Sequence, residues 1–371
     1  MKSRKILASL LAVCMVLSAI VVSPVIKAGP GPEKEEMNVL LIGNSYAADT
    51  VNYLAEIYES AGYTDFNIVS LYYSGATLSR IYLEMILSEV ATETNFNGRD
   101  DTTKVFYAGN NGKSLKVDFM KSESDSDKVE GDRSTGGSSF KYQKYTKTNG
   151  EAIKAHQPVL NYDLGEAIRE DDWDVVTIQN INNSYTADDA AAYTVLKAGT
   201  DATYGDYSHK ITWNNGTYYG GKEYIGKDIV SVLCDYIVEE NSAAQYGNVP
   251  KIYFNSTWVP DITQYNGPNR NGGVKAHQPR AVGTSYGNYT LNQASYFWET
   301  ELKTFVYDKY VGESASVENK IVARIPQNTL VELLNENLPM ISNTYSIYRD
   351  DVHLNDIARY AVALNLSLIH I

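Results

Sequence analysis

The feature that most constrains this fold is an alternation of short apolar runs with segments of helical periodicity. The apolar runs are almost continuous, which is typical of strands buried on both faces of a parallel sheet. Strands are predicted at residues 38–42, 67–72, 173–179, 251–257 and 320–326. Helices are predicted at residues 50–61, 78–90, 162–169, 187–198, 226–240, 296–310 and 356–366, the last of them capped by Asn355. The alternation predicts an α/β protein, a three-layer α/β/α sandwich around a central parallel sheet of about five strands.

Two regions interrupt this alternation. The N-terminus has basic residues, then an apolar run and then small residues, which predicts a secretory signal peptide over residues 1–28, with a retained membrane anchor as the alternative. A glycine- and proline-rich flexible leader is expected over 29–36. The second interruption is a polar, glycine- and serine-rich insertion at about 92–150, which we expect to form a hairpin or lid outside the core. The remainder of 37–371 is expected to form the folded domain.

Charge and cysteine content narrow the class of protein. The predicted signal peptide carries four of the 32 basic residues and none of the 45 acidic residues, so the cleaved chain would have a net charge of −17. Such a surface repels nucleic-acid phosphates and anionic membranes, so neither is an expected partner. Cleavage would leave Cys234 as the single cysteine, which excludes an intramolecular disulfide and a cysteine metal site. We therefore expect a secreted, extracellular protein that acts on neutral or cationic material.

A serine follows the first predicted strand in the stretch "NVLLIGNSYAADT". Gly43 allows a sharp turn, and Ser45 would stand at the start of a helix beyond the carboxyl end of the strand, where open α/β sheets bind ligands. The unpaired N–H groups of a helix start stabilise developing negative charge. Ser45 is therefore a candidate nucleophile, although serine and Asn44 also cap helices for purely structural reasons.

A candidate base lies near the other end of the chain, in "YRDDVHLN". Asp350 and His353 are separated by two residues, and in a tight turn the carboxylate can accept a hydrogen bond from the imidazole Nδ1–H. The other imidazole nitrogen then remains for a serine. An ordinary surface histidine before a helix is the alternative. None of the other four histidines has so well spaced a carboxylate.

Together the two motifs resemble the SGNH hydrolase superfamily of GDSL-like serine esterases. The similarity is greatest to an uncharacterised secreted bacterial branch, through "LIGNSYAAD", "LYYSGATL", "WDVVTIQN" and "DDVHLNDIARY". It covers the core in pieces, at about 37–90, 160–184, 250–260 and 345–365. The resemblance implies an SGNH/flavodoxin-like sandwich and the hydrolysis of a carboxylic ester without a metal or organic cofactor.

The resemblance also implies roles for individual residues. Ser45 matches the nucleophile, His353 the general base and Asp350 the residue that orients the base. The oxyanion hole would take the N–H groups of Ser45 and Gly75. Better-known members supply a third donor from a G-x-N-D block, and this chain has "IQNINNSY" in its place. Gln179 is the expected third donor.

Several further side chains are expected near this site. Asn180, Asn182 and Asn183 are the alternatives to Gln179 as the third donor. Possible substrate contacts are Asn44, Asn180, Asn183 and Trp258.

The function implied is that of a secreted serine esterase whose substrate is a small-molecule or carbohydrate ester, with removal of acetyl groups from carbohydrate as the first choice. The 30 tyrosines fit sugar contacts and equally an ordinary tyrosine-rich surface. One alternative is a catalytically inactive carbohydrate-binding protein on the same fold. A lipase or thioesterase is a further alternative, which would need an apolar groove that the polar insertion does not suggest.

Overall fold

The central sheet of the computed structural model is built from the apolar runs seen in the sequence. The structure describes residues 36–63, 65–72, 76–94, 115–118, 130–131, 140–147, 154–155, 159–162, 164–180, 193–213, 216–246, 248–259, 291–311, 320–337, 347–348 and 353–368. The predicted signal peptide and nearly all of the predicted leader lie outside these residues. Within the described part of the chain, no helix is long and apolar enough to cross a membrane.

The strands alternate with helices along the chain. The strands are β1 (Asn38–Gly43), β2 (Phe66–Tyr72), β3 (Leu115–Asp118), β4 (Glu130–Gly131), β5 (Phe140–Lys147), β6 (Lys154–Ala155), β7 (Val159–Tyr162), β8 (Val175–Gln179), β9 (Gly199–Asp201), β10 (Gly205–Tyr207), β11 (His209–Trp213), β12 (Gly216–Gly220), β13 (Lys251–Asn255) and β14 (Ala323–Ile325).

The helices cover the central sheet. They are α1 (Ser45–Val51), α2 (Leu54–Ser60), α3 (Leu78–Thr94), α4 (Leu164–Arg169), α5 (Ile229–Ala243), α6 (Leu291–Leu302), α7 (Asp308–Tyr310), α8 (Gln327–Asn337) and α9 (Asp356–Ser367). A 3₁₀ turn spans Lys222–Tyr224, and a π-helical turn spans Lys303–Tyr307 between α6 and α7.

Five parallel strands form the centre of the sheet in the order β14-β13-β8-β1-β2. Alternate residues of β1 point to opposite faces: Leu40 and Ile42 pack in one apolar cluster with α3, α4 and α5, whereas Val39 and Leu41 pack in another with α1, α2 and α9. Burial on both faces explains why the strands are apolar without interruption. The predicted three-layer α/β/α sandwich with five parallel strands is confirmed.

The expectation that the 92–150 insertion stays outside the core is wrong in part. Strand β5, which lies in the insertion, pairs antiparallel with β2 along the whole length of β2, and β6 and β7 extend the sheet from β5. An uncovered β2 would present unpaired backbone groups at a sheet edge, and β5 satisfies them. Its sequence "FKYQKYTK" also contains aromatic and β-branched residues that favour strands.

Two helix predictions also differ from the structure. The helix predicted at 50–61 is interrupted, because α1 ends at Val51 and α2 begins at Leu54. Residues 193–198, the described part of the helix predicted at 187–198, are not helical, because they hydrogen-bond to the segment before α5. Val195 N donates to Lys227 O, and Gly226 N donates to Val195 O.

Candidate active site

The carboxyl ends of β1 and β8 lie side by side at the point where the sheet order reverses. The chain leaves β1 for β2 on one side, and it returns through β8, β13 and β14 on the other. Loops that depart in opposite directions leave a crevice, which is where open α/β sheets bind ligands. Ser45 follows β1 and Gln179 ends β8, so both lie at this crevice.

Asn44 forms the turn between β1 and the helix that begins at Ser45. Its backbone is extended, and its side-chain Oδ1 accepts a hydrogen bond from Tyr46 N (3.0 Å), while its carbonyl accepts one from Ala47 N (2.9 Å). These bonds use the N–H groups of the second and third helical residues. The N–H of Ser45, the first helical residue, can then serve an external negative charge. Ser45 itself is partly exposed, as a nucleophile requires.

A chain of three buried amides joins the ends of β1, β8 and β13 beneath this turn. Gln179 Nε2 donates to Asn44 Oδ1 (2.6 Å), and Asn255 Nδ2 donates to Gln179 Oε1 (3.1 Å). All three side chains are fully buried. Unpaired buried amides are costly, so each partner fixes the orientation of the next. The Gln179 amide therefore holds Asn44, and its role as an oxyanion donor stays a prediction.

Gly43 is required by the same packing. A Cβ at this position would lie 2.5 Å from Gln179 Cγ, closer than two non-bonded carbon atoms can approach. Gln179 cannot swing aside without breaking its two hydrogen bonds. The close approach of the Gln179 side chain thus explains why the "GNS" motif begins with glycine.

Two asparagines, Asn44 and Asn180, hydrogen-bond to Ala76 and Leu78, which follow the loop after β2. Gly75 lies outside the described residues, but the residues that follow it do not. Asn44 Nδ2 donates to Ala76 O (3.0 Å), and Leu78 N, at the start of α3, donates to Asn180 Oδ1 (3.1 Å). Asn44 therefore connects the serine turn to the loop that the sequence predicts to complete the oxyanion hole.

Asn180 is backed by a buried polar network. It is almost fully buried, and its Nδ2 donates to Tyr193 Oη (3.2 Å), which in turn donates to Glu301 Oε1 (2.8 Å). Burial and the neighbouring Glu301 carboxylate raise the pKa of Tyr193 well above its usual value, so the phenol stays protonated. These bonds hold the Asn180 side chain toward α3, so Asn180 supports the start of that helix.

His353 lies in a closed turn immediately before α9. Tyr348 and Leu354 form an antiparallel bridge, and Asn355 N donates to Ile347 O (2.8 Å). Asp350 lies within this loop but outside the described residues. Asn355 caps α9 by accepting from Ala358 N (3.0 Å), as predicted. The imidazole of His353 is half-buried.

Asp49 joins the serine helix to the histidine turn. Its Oδ2 accepts from Leu354 N (3.0 Å), and its Oδ1 accepts from Arg359 Nε (2.9 Å) and Nη2 (2.6 Å). Asp49 is one helical turn after Ser45, on the same face of α1. Leu354 directly follows His353. The structure thus brings Ser45 and His353 into one region, although about 300 residues separate them.

Other predicted residues have different surroundings. Trp258 is fully buried, and its ring packs edge-to-face against Tyr46, with centroids 4.6 Å apart. Trp258 and Asn44 therefore support the serine turn, and their contact with substrate stays a prediction. Asn182 and Asn183 lie outside the described residues.

Asp49, Arg359 and Asn255 were not predicted as site residues. An acidic side chain one turn after the serine, in an otherwise uncharged helix, was a usable signal for Asp49. The arginine lies in "HLNDIARY", where nothing in the local sequence assigns it a role. Asn255 carried no local signal, because its partner is on a different strand. In the described part of the chain, no group of three or more His, Cys, Asp or Glu residues is arranged to hold a metal.

Comparisons with known proteins add one structural neighbour. No family model and no curated protein matches the chain. The chain is similar to the crystal structure of a DUF4886 family protein from Bacteroides uniformis, with 15% sequence identity and a TM-score of 0.43. The match covers 89% of this chain and 81% of that one.

Proposed function

We propose that this chain is a secreted serine esterase of the SGNH hydrolase type, which removes acyl groups from a carbohydrate or another small-molecule ester. The observation that carries the proposal is the hydrogen bond from Leu354 N to Asp49, because it joins the helix that begins at Ser45 to the turn that carries His353. A partly exposed serine at a helix start in the sheet crevice, with the half-buried His353 next to a residue that is bonded to that helix, suits nucleophilic catalysis.

The first half of the proposed reaction forms an acyl-enzyme. Ser45 Oγ attacks the ester carbonyl, and His353 takes the hydroxyl proton while Asp350 orients the imidazole. The carbonyl oxygen becomes an oxyanion that accepts hydrogen bonds from the N–H groups of Ser45 and Gly75. His353 then gives the proton to the leaving alcohol as the carbon–oxygen ester bond breaks.

The second half releases the acid. Water attacks the acyl-enzyme, His353 accepts a proton from that water, and the bond from the acyl carbon to Ser45 Oγ breaks. His353 returns the proton to Ser45. Gln179 contributes by holding Asn44, which fixes both the serine turn and the carbonyl of Ala76.

A catalytically inactive carbohydrate-binding protein is the second candidate. Its support is an aromatic pair beyond β8: Tyr204, in the turn between β9 and β10, is 61% exposed and stacks on the half-buried Tyr219 of β12, with ring centroids 5.0 Å apart. Tyrosine faces of this kind suit sugar rings, and they would serve an esterase acting on glycans as well. An activated serine therefore distinguishes the two candidates.

The test is substitution of Ser45 by alanine, with Ser60→Ala as the matched control on the neighbouring helix. The Ser60 hydroxyl donates to the carbonyl of Glu56 on an exposed surface, so its loss should change nothing. Ser45→Ala should lower kcat/KM for p-nitrophenyl acetate by roughly 10⁴-fold or more and abolish fluorophosphonate labelling. His353→Ala should lose a similar share of activity.

Two outcomes contradict the proposal. A wild-type protein that neither hydrolyses aryl or glycan acetates nor reacts with a fluorophosphonate would support the binding protein. Labelling that persists in Ser45→Ala would assign the nucleophile to another residue. The melting temperature of each variant should remain near that of the wild type, which excludes unfolding as the cause of lost activity.

A further inference from the structure

The carboxylate of Asp49 is almost completely buried, with 2% of the residue exposed, yet it lies only one helical turn from a partly exposed serine. Three hydrogen bonds reach it from the C-terminal part of the chain: one from the backbone N–H of Leu354 and two from the guanidinium of Arg359. Both partners lie more than 300 positions away in sequence.

The geometry of these bonds fixes how the histidine turn sits on α1. Arg359 lies one turn into α9, so its bonds set the position of that helix. The bond to Leu354 N sets the position of the backbone next to His353. A single carboxylate on α1 therefore holds two successive parts of the segment that contains His353.

Stability alone is a poor explanation for a charged pair at this position. Desolvation of the buried Asp49 carboxylate and of the mostly buried Arg359 guanidinium, whose side chain is 13% exposed, offsets much of their attraction. Apolar replacements of such pairs are often at least as stabilising. The same segments already supply buried apolar side chains: Val51 on α1, Leu354 before α9 and Ala358 on α9 are all fully or almost fully buried. What the ion pair adds to this packing is direction, because two guanidinium N–H groups converge on Asp49 Oδ1 while Oδ2 accepts from Leu354 N, so both oxygens are held from α9 and the turn before it.

We propose that Asp49 is a positioning residue, which with Arg359 holds the turn that carries His353 at the distance and angle from Ser45 that proton transfer needs. This inference rests on the proposed esterase function. Proton transfer is sensitive to such placement, and a displacement of about 1 Å can cost roughly a hundredfold in rate. Asp49 touches neither the substrate nor the reacting atoms in this scheme.

The test compares Asp49→Asn and Arg359→Gln with Asp356→Asn. Asp356 is a matched control, because its carboxylate lies 3.7 Å from the same guanidinium but its side chain is 78% exposed. Asp49→Asn keeps an acceptor for Leu354 N and removes the charge that binds Arg359. Arg359→Gln breaks the pair from the other side, so the inference can still be tested if one variant folds poorly.

The expected result is a fall of roughly ten- to a hundredfold in kcat for both Asp49→Asn and Arg359→Gln, with KM changed less than about twofold. The rate of fluorophosphonate labelling at Ser45 should fall by the same factor, since it depends on the same base. Asp356→Asn should keep the wild-type kcat, KM and labelling rate. Arg359→Lys, which retains the charge but not the two-donor geometry, should lie between Arg359→Gln and the wild type.

A purely structural role gives a different pattern. Asp49→Asn and Arg359→Gln would then melt at lower temperature, but well below that temperature they would retain the kcat and labelling rate of the wild type, and the inference would be overturned. Failure of the proposed function is distinguishable, because wild-type protein would then not label, or Ser45→Ala would label as well.

Discussion

His209 is predicted to make the folded protein sensitive to mild acid. It begins β11 and is fully buried, with its Nδ1 3.1 Å from the hydroxyl of Ser208 and its ring 5.4 Å from that of Tyr82. Burial lowers the pKa of His209 to about 3, and the positive charge of Arg80 acts in the same direction. Arg80 is itself paired with the buried Glu84 at 2.7 Å. The native protein therefore keeps the imidazole neutral.

The size of the effect follows from the difference between the folded and unfolded states. The unfolded chain binds a proton at His209 with a pKa near 6.5, whereas the folded chain does not until the pH approaches 3. Between these values the unfolded state carries the extra proton, so stability is lost as the pH falls, by about 1.4 kcal/mol per pH unit. Lowering the pH from 7 to 5 should cost about 2 kcal/mol from this residue alone.

The assay is urea unfolding of the wild type and His209→Gln at pH 7, 6 and 5, followed by tryptophan fluorescence. Carboxylates titrate in both proteins, so their contribution cancels when the two pH dependences are subtracted. Glutamine stays neutral throughout, and any cost of the substitution at pH 7 is a constant offset. The wild type should lose about 2 kcal/mol more than the variant between pH 7 and pH 5. Parallel pH dependences would refute the reasoning, because they would mean that His209 binds its proton equally well in both states.

Two substitutions test the packing beneath the candidate site. Gly43→Ala should lower the free energy of unfolding by about 1–3 kcal/mol, because the new methyl overlaps Gln179, and this cost should shrink in a Gln179→Ala background. An equal cost in both backgrounds, measured by urea denaturation, would place the strain elsewhere. Trp298→Phe should cost about 1–3 kcal/mol, since the indole N–H donates to the buried carbonyl of Thr257 at 2.6 Å. An unchanged urea midpoint would contradict the importance of that bond.

Local pattern was enough to predict the framework of the molecule. The apolar run at residues 38–42 is a central strand because both of its faces are covered, and apolar residues are needed at every position of such a strand. Asn355 caps a helix because its side chain reaches the backbone three residues ahead. The position of Ser45 after a strand and at the start of a helix was equally readable. Each of these features depends on neighbours within a few residues.

The insertion shows where local pattern stops being sufficient. Its polar composition indicates a segment outside the core, yet β5 pairs with β2 and joins the central sheet. Polar sequence is compatible with an outer strand, because backbone hydrogen bonds to β2 do not depend on the side chains. Whether such a segment joins the sheet depends on whether an edge is left open, and that depends on the order of all the strands.

The tertiary structure alone decided what holds the candidate site together. Gln179 ends a strand at the crevice, and only the folded chain shows that its amide donates to Asn44, 135 positions away. Asp49 looked like an ordinary helical residue until its partner Arg359, 310 positions away, came to lie against it. Sequence periodicity records which face of an element is buried. It carries no information on which buried polar groups hydrogen-bond to one another, because those pairs are fixed by the packing of elements that are distant in the chain.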